Sequence, residues 1–149
     1  MKHALPIVAF LLIALLASER IAGAQTVRLM KVGLADLSVK VTEIGIGDIT
    51  VKLTDRHDAD LSVGFTIDPR KADIIVTDVG QGDISIKYTE IGMADVTIKV
   101  IDIGLADLSV AIRNEGKVDL LIYSKAGHLD RKEILAIIAP LLKRLAEKR

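Results

Sequence analysis

The chain has 149 residues, with 20 acidic and 20 basic side chains and no cysteine. Half of the residues are apolar, which argues against an intrinsically disordered chain, and the lack of cysteine excludes disulfides and thiolate metal sites. Aromatic residues make up 3% of the chain, so base stacking on single-stranded nucleic acid is a poor candidate activity.

A signal peptide is predicted at residues 1–24. A short basic start precedes the apolar stretch Ala4–Ala17, and Ala22-Gly23-Ala24 fits the small-x-small rule for cleavage. The mature chain would begin at Gln25 and would be periplasmic or extracellular. The stretch is shorter than the roughly 20 residues that span a bilayer, so no integral membrane segment is expected in the mature chain. Retention of the segment as an uncleaved anchor is the alternative.

An internal repeat of about twelve residues follows, in eight copies. Gly33-Leu-Ala-Asp-Leu-Ser-Val-Lys returns as Gly45-Ile-Gly-Asp-Ile-Thr-Val-Lys. After each aspartate, apolar and polar residues alternate, as in a strand with one buried face. We therefore predict a β-repeat domain over residues 25–125. The repeated aspartates are Asp36, Asp48, Asp60, Asp73, Asp83, Asp95, Asp107 and Asp119.

The alternation changes phase inside each repeat. Ile44 and Ile46 lie on the opposite register from the preceding strand, and Ile49 restores the first register. This pattern predicts two short extended pieces in each repeat, with bends at Gly45 and at Gly47-Asp48. The repeat spacing is irregular around Asp68-Pro69, where we expect a departure from simple stacking.

The aspartates have two interpretations. In the structural one, which we favour, each aspartate caps a turn and begins a strand. In the functional one, the row of carboxylates binds calcium, as in Gly/Asp-rich β-rolls. Calcium takes six to eight oxygen ligands, and one carboxylate in each repeat supplies few of them. No metal-binding residue is therefore assigned.

The repeat array ends in a predicted strand at 118–123, followed by an amphipathic helix at 129–149. Asp130 and Glu133 have the spacing of a capping box, and Pro140 should kink or divide the helix. Residues 25–129 carry 12 basic and 16 acidic side chains, whereas residues 130–149 carry 6 and 3. This complementary charge favours a helix that packs on the β body. The alternative is a helix that binds a membrane surface or a protein partner.

No catalytic, cofactor-binding or metal-binding residue is predicted, so the chain is expected not to be an enzyme. His57, Asp58 and Asp60 form the one local cluster that we considered, and His128 is the other histidine after residue 24. A nucleophile is a singular residue beside a base, whereas the serines recur at one repeat position. No long basic stripe points to duplex DNA. The recurring serines are Ser38, Ser62, Ser85 and Ser109.

The Ala-Asp-apolar-x-apolar copies that begin at Ala35, Ala59, Ala72, Ala94 and Ala106 resemble the repeat of the 7(1) septoil knot domain family. The resemblance covers residues 27–123. It implies an all-β body of short segments wound into a closed, knotted toroid, with no established biochemical activity.

A second architecture remains open, a short β-solenoid of four coils with the helix as its cap, similar to bacterial surface domains. The function that we expect in either case is an exported, non-enzymatic structural or interaction domain. The alternative is a calcium-dependent, β-roll-like surface binding module.

Overall fold

The computed structural model describes residues 24–114 and 116–148, and across them nine β-strands precede two helices. A short 3-10 helix, Pro69–Lys71, lies between the fourth and fifth strands, at the predicted irregularity. The strands are β1 (Gln25–Met30), β2 (Leu37–Thr42), β3 (Ile49–Thr54), β4 (Leu61–Phe65), β5 (Ile74–Thr77), β6 (Ile84–Thr89), β7 (Val96–Ile101), β8 (Leu108–Ile112) and β9 (Leu120–Ser124), and the helices are α1 (Arg131–Ile137) and α2 (Ala139–Glu147).

The nine strands are all parallel and close into a barrel in the order β1-β5-β9-β4-β8-β3-β7-β2-β6. Successive strands are never neighbours in this order, because each connection skips one strand and advances in the same direction. The chain therefore winds almost twice around the ring. A closed toroidal body is confirmed, and the predicted solenoid is wrong, because its repeats would pair mainly with repeats one or two away along the chain.

Strand register follows one rule with one exception. The first residue of a strand pairs with the third residue of its neighbour, as in Leu37 with Ile86 and Ile49 with Ile98. At the contact between β1 and β5 the first residues pair directly, Gln25 with Ile74. We call this contact the closing seam. Among the nine strands, β1 is also the one that no repeat aspartate precedes, since Ala24 stands before it.

The barrel interior is filled by the alternating apolar residues that the sequence pattern places on one face. Val39, Val51, Ile86 and Ile98 are completely buried, while the residues on either side of each lie on the outer wall. These β-branched side chains suit a pleated, tightly packed surface. The predicted strand alternation is therefore confirmed.

Each repeat contains one strand, not the two extended pieces that we predicted. The segment around Ile44 and Ile46 is a turn, with Gly45 at a φ of +80°. The physical reason lies in the topology: the connection must cross the outside of the skipped strand before the next strand begins. We call these connections arches and number arch 1 to arch 8 by the strand that precedes each.

The crossing is close enough to require glycine in arch 2. A Cβ atom on Gly47 would lie 2.8 Å from the backbone nitrogen of Lys99 in β7 and 2.9 Å from its Cβ. Gly82 in arch 5 lies similarly against the carbonyl oxygen of Thr26 in β1. The glycines before Asp48 and Asp83 thus allow the backbone of the arch to lie close to the backbone of the strand that it crosses.

The two helices cover part of the barrel and bury their apolar stripe. Asp130 and Glu133 form the predicted capping box, with bonds of 2.8 and 3.0 Å. Pro140 divides the helical segment as predicted, since α1 ends at Ile137 and α2 begins at Ala139. The helices contact β2, β3, β6 and β8. Packing of the helix on the β body is confirmed by its buried residues Ile134, Leu135, Ala136, Ile137, Ile138, Ala139, Leu141 and Leu142.

Candidate functional surface

All eight repeat aspartates hold the arches to the barrel wall. In each, Oδ2 accepts a hydrogen bond of 2.7–2.9 Å from a backbone N–H of the strand that the arch crosses. Asp48, for example, binds the N–H of Thr97, and Asp73 binds the N–H of Leu121. Each aspartate precedes a strand, as predicted, but the predicted turn caps are wrong. The partners of the aspartates lie 48, 49 or 57 positions away and not in their own turns.

The recurring serines take part in the same contacts. Ser38 Oγ accepts from the N–H of Asp95, and Ser85 Oγ accepts from the N–H of Asp36, both at 2.8 Å. Ser62 and Ser109 accept in the same way from Asp119 and Asp60. Each serine thus completes a two-way bridge between a strand and an arch.

The structure separates the members of the His57 cluster. His57 Nδ1 lies 3.2 Å from Nη1 of Arg113, whereas Asp58 pairs with Arg56 at 3.2 Å on the exposed arch. Asp60 instead accepts from the N–H of Ser109 at 2.8 Å. Within residues 24–114 and 116–148, no group of three histidine or acidic side chains is placed to hold a metal ion.

His128 lines a cavity of about 600 Å³ between the barrel and the start of α1. Leu53 and Phe65 contribute apolar walls, and Arg131 contributes charge. Asp130, another lining residue, is committed to the capping box. The cavity therefore combines apolar and charged groups.

Two titratable side chains have a shifted pKa: Tyr88, in β6, and Asp68, which caps the 3-10 helix. Burial, followed by a hydrogen bond to Glu90, raises the pKa of the Tyr88 hydroxyl, which donates to Glu90 at 2.9 Å. Hydrogen bonds from the backbone and side chain of Arg70 lower the pKa of the Asp68 carboxyl. Both interactions join residues two positions apart.

The most unusual surface is formed by the tips of the arches. Arches 1, 2, 6 and 7 each carry two large apolar side chains on either side of a glycine with positive φ. Their exposed fractions range from 80% to 99%. These arches cross β6, β7, β2 and β3, which are consecutive in the barrel. We call this set the apolar arc; its residues are Val32, Leu34, Ile44, Ile46, Ile91, Met93, Ile103 and Leu105.

Sequence reasoning missed the apolar arc, although the phase change at Ile44 and Ile46 was its signal. We assigned those residues to extended pieces, whereas the barrel leaves them outside. Arches 3 and 8, on the adjacent strands β8 and β4, carry charged side chains at their tips instead, including Arg56, Asp58 and Lys117. Four consecutive strands are thus crossed by arches with apolar tips, and the next two by arches with charged tips.

The surface around the apolar arc carries charges of both signs. One wall lysine lies on each crossed strand, at positions 40, 52, 87 and 99, and Lys31 lies in arch 1. Glu43, Glu90 and Asp102 flank three of the tips, and four repeat aspartates lie behind them. Because the signs are mixed, apolar contact and not net charge distinguishes this surface.

In the part of the chain that the structure describes, no helix is both long enough and apolar enough to cross a membrane. Comparison of the chain with protein-family models, with curated proteins and with solved structures finds no match.

Proposed function

We propose that the chain is an exported, non-enzymatic structural or interaction domain whose contact surface is the outer face of the arches. One observation carries this proposal. The repeated polar groups that could have supplied chemistry bind backbone atoms, whereas the repeated apolar tips contact solvent. Large exposed apolar patches mark interaction surfaces. We also propose a relation to the septoil knot family, on the Ala-Asp-apolar-x-apolar repeat alone.

Export predicts a defined mature N-terminus. When the full chain with a C-terminal tag is expressed in a bacterial host, mass spectrometry of the extracytoplasmic protein should give a chain that begins at Gln25, because Ala22 and Ala24 present small side chains to the signal peptidase. The control is Ala22→Arg with Ala24→Arg, which should accumulate unprocessed. Full-length protein confined to the cytoplasm would contradict the proposed export.

A calcium-dependent role can be tested on the mature chain. We expect the same melting midpoint in 2 mM CaCl₂ (about a thousand times a sensor-range dissociation constant) and in excess EDTA, because the eight Oδ2 atoms already bind backbone N–H groups. Circular dichroism provides the measurement, with MgCl₂ as the ionic control. A midpoint that rises with calcium alone would support the β-roll-like module instead.

A further inference from the structure

We propose that Gln25, as the first residue of the exported chain, is a modification site that is converted to pyroglutamate, and that the new ring completes the closing seam. The inference rests on the proposed export, because Gln25 has a free α-amino group only after cleavage behind Ala24. A glutamine at the start of a chain has its side-chain amide within reach of its own α-amino group. Modification of that group removes a terminal charge.

The reaction needs no second substrate and no oxidant. The uncharged α-amino nitrogen of Gln25 attacks the side-chain carbonyl carbon Cδ, so that a bond between this nitrogen and Cδ forms and the bond between Cδ and Nε2 breaks. The α-amino nitrogen gives up one proton to the departing nitrogen, which leaves as ammonia. The product is a five-membered lactam. Its nitrogen carries one hydrogen and no charge, as a peptide nitrogen does.

The backbone contacts of Gln25 give this change a structural role. Gln25 begins β1, pairs with Ile74 at the closing seam, and donates its backbone N–H to the carbonyl oxygen of Asp73 at 3.0 Å. Cleavage behind Ala24 turns this N–H into an ammonium group, which has three donors. The hydrogen bond to Asp73 uses one of them. The lactam restores the single neutral N–H donor that this hydrogen bond requires.

The side chain of Gln25 differs from those that begin the other strands. Each of the other eight strands begins with an apolar residue that is at most 3% exposed. Gln25 is half-buried and lies on the same face of β1 as the completely buried Val27. A polar or charged group in an apolar layer costs free energy unless it is hydrogen-bonded. Cyclisation removes both the Nε2 amide group and the ammonium charge from this layer. The eight apolar residues are Leu37, Ile49, Leu61, Ile74, Ile84, Val96, Leu108 and Leu120.

Mass spectrometry of the exported chain tests the modification. The intact mass of the tagged mature protein should lie below that calculated from Gln25 onward by one ammonia molecule, and N-terminal sequencing should be blocked. Gln25→Asn keeps a side-chain amide but lacks the methylene group that a five-membered ring needs, so this variant should keep its full mass and be sequenced. The matched control is Gln81→Asn, at the only other glutamine of the chain, which should still lose ammonia.

A second measurement tests the hydrogen bond at the seam. When glutamine is labelled with nitrogen-15 at its backbone nitrogen, the cyclised chain should give two amide signals in a nuclear magnetic resonance spectrum, from residues 25 and 81. Gln81→Asn identifies them by removing one. In heavy water, the residue 25 signal should decay at least about tenfold more slowly than that of Gln81. The reason is that the N–H of Gln25 is bonded to Asp73, whereas Gln81 is exposed in arch 5.

Two results would overturn the proposal and leave export intact. One is a mature chain that begins at Gln25 with its full mass and a free α-amino group. The other is a lactam N–H that exchanges as quickly as the N–H of Gln81, because the ring would then have no role in the seam. A mature chain that begins at another residue would instead overturn the predicted cleavage, and this inference with it. Intact mass is measured on folded and unfolded chains alike, so a variant that fails to fold still gives the first result.

Discussion

Replacing Asp73 by alanine is expected to lower the free energy of unfolding by about 2–3 kcal/mol, the range for a lost hydrogen bond to a charged group whose donor stays desolvated. Asp73 is 3% exposed, and its Oδ2 accepts from the N–H of Leu121 at 2.8 Å. This is the bond by which the arch before β5 is held to β9. The substitution would therefore remove the carboxylate bridge between these two strands. Urea denaturation of the mature chain measures the change.

Asp58→Ala provides the control for this experiment. Asp58 lies at the tip of arch 3 in an ion pair with Arg56, and both side chains are more than 70% exposed. An exposed pair of this kind contributes less than about 1 kcal/mol. Equal destabilisation by the two substitutions would show that the aspartate bridges do not hold the ring together.

The second large effect is expected at the helices that cover the barrel. Leu135→Ala should lower the free energy of unfolding by about 2–5 kcal/mol, the usual cost of truncating a buried leucine. Leu135 is completely buried, and α1 contacts β2 and β6. The loss combines buried apolar area with a cavity between helix and barrel. Thermal denaturation and urea denaturation should both show that this variant is less stable than the unmodified chain.

Lys143→Ala is the matched control, since Lys143 is exposed on α2. The free energy of unfolding of this variant should differ from that of the unmodified chain by less than about 0.5 kcal/mol, as is usual for surface positions. If Leu135→Ala were equally neutral, the apolar stripe would not be packed on the barrel in solution. The predicted partner-binding role of the helix would then regain support, because that role requires the stripe to be accessible.

Features that depend on nearby residues could be predicted from the sequence. The strand alternation, the capping box at Asp130 and Glu133, and the break at Pro140 each follow from contacts within a few positions. Strand partners could not be predicted in the same way. Every repeat presents nearly the same pattern of apolar and polar residues. The pattern alone therefore cannot show whether a strand pairs with the next strand in the chain or with the strand four later.

The length of the connections between strands could have narrowed the choice of strand partners. A parallel pair of adjacent strands normally needs a crossover of a dozen or more residues. The connection from Thr42 to Ile49 contains six residues, enough to arch over one strand but too few for a regular crossover. The same constraint explains why Ile44 and Ile46 lie outside the barrel. The apolar arc therefore follows from the topology and could not be recognised before the topology was known.

Each of the strands β1 to β4 pairs with the strands that come four and five later in the chain, which has a consequence for the nascent chain. Paired residues lie 48, 49 or 57 positions apart, as Gln25 and Ile74 illustrate. No strand therefore has a ladder partner until β5 has been synthesised. Such high contact order makes folding slow, and it leaves β1 to β4 unpaired while the chain emerges. A polypeptide that cannot form its sheet early stays extended until late in synthesis, and its ring closes only after β9 has been made.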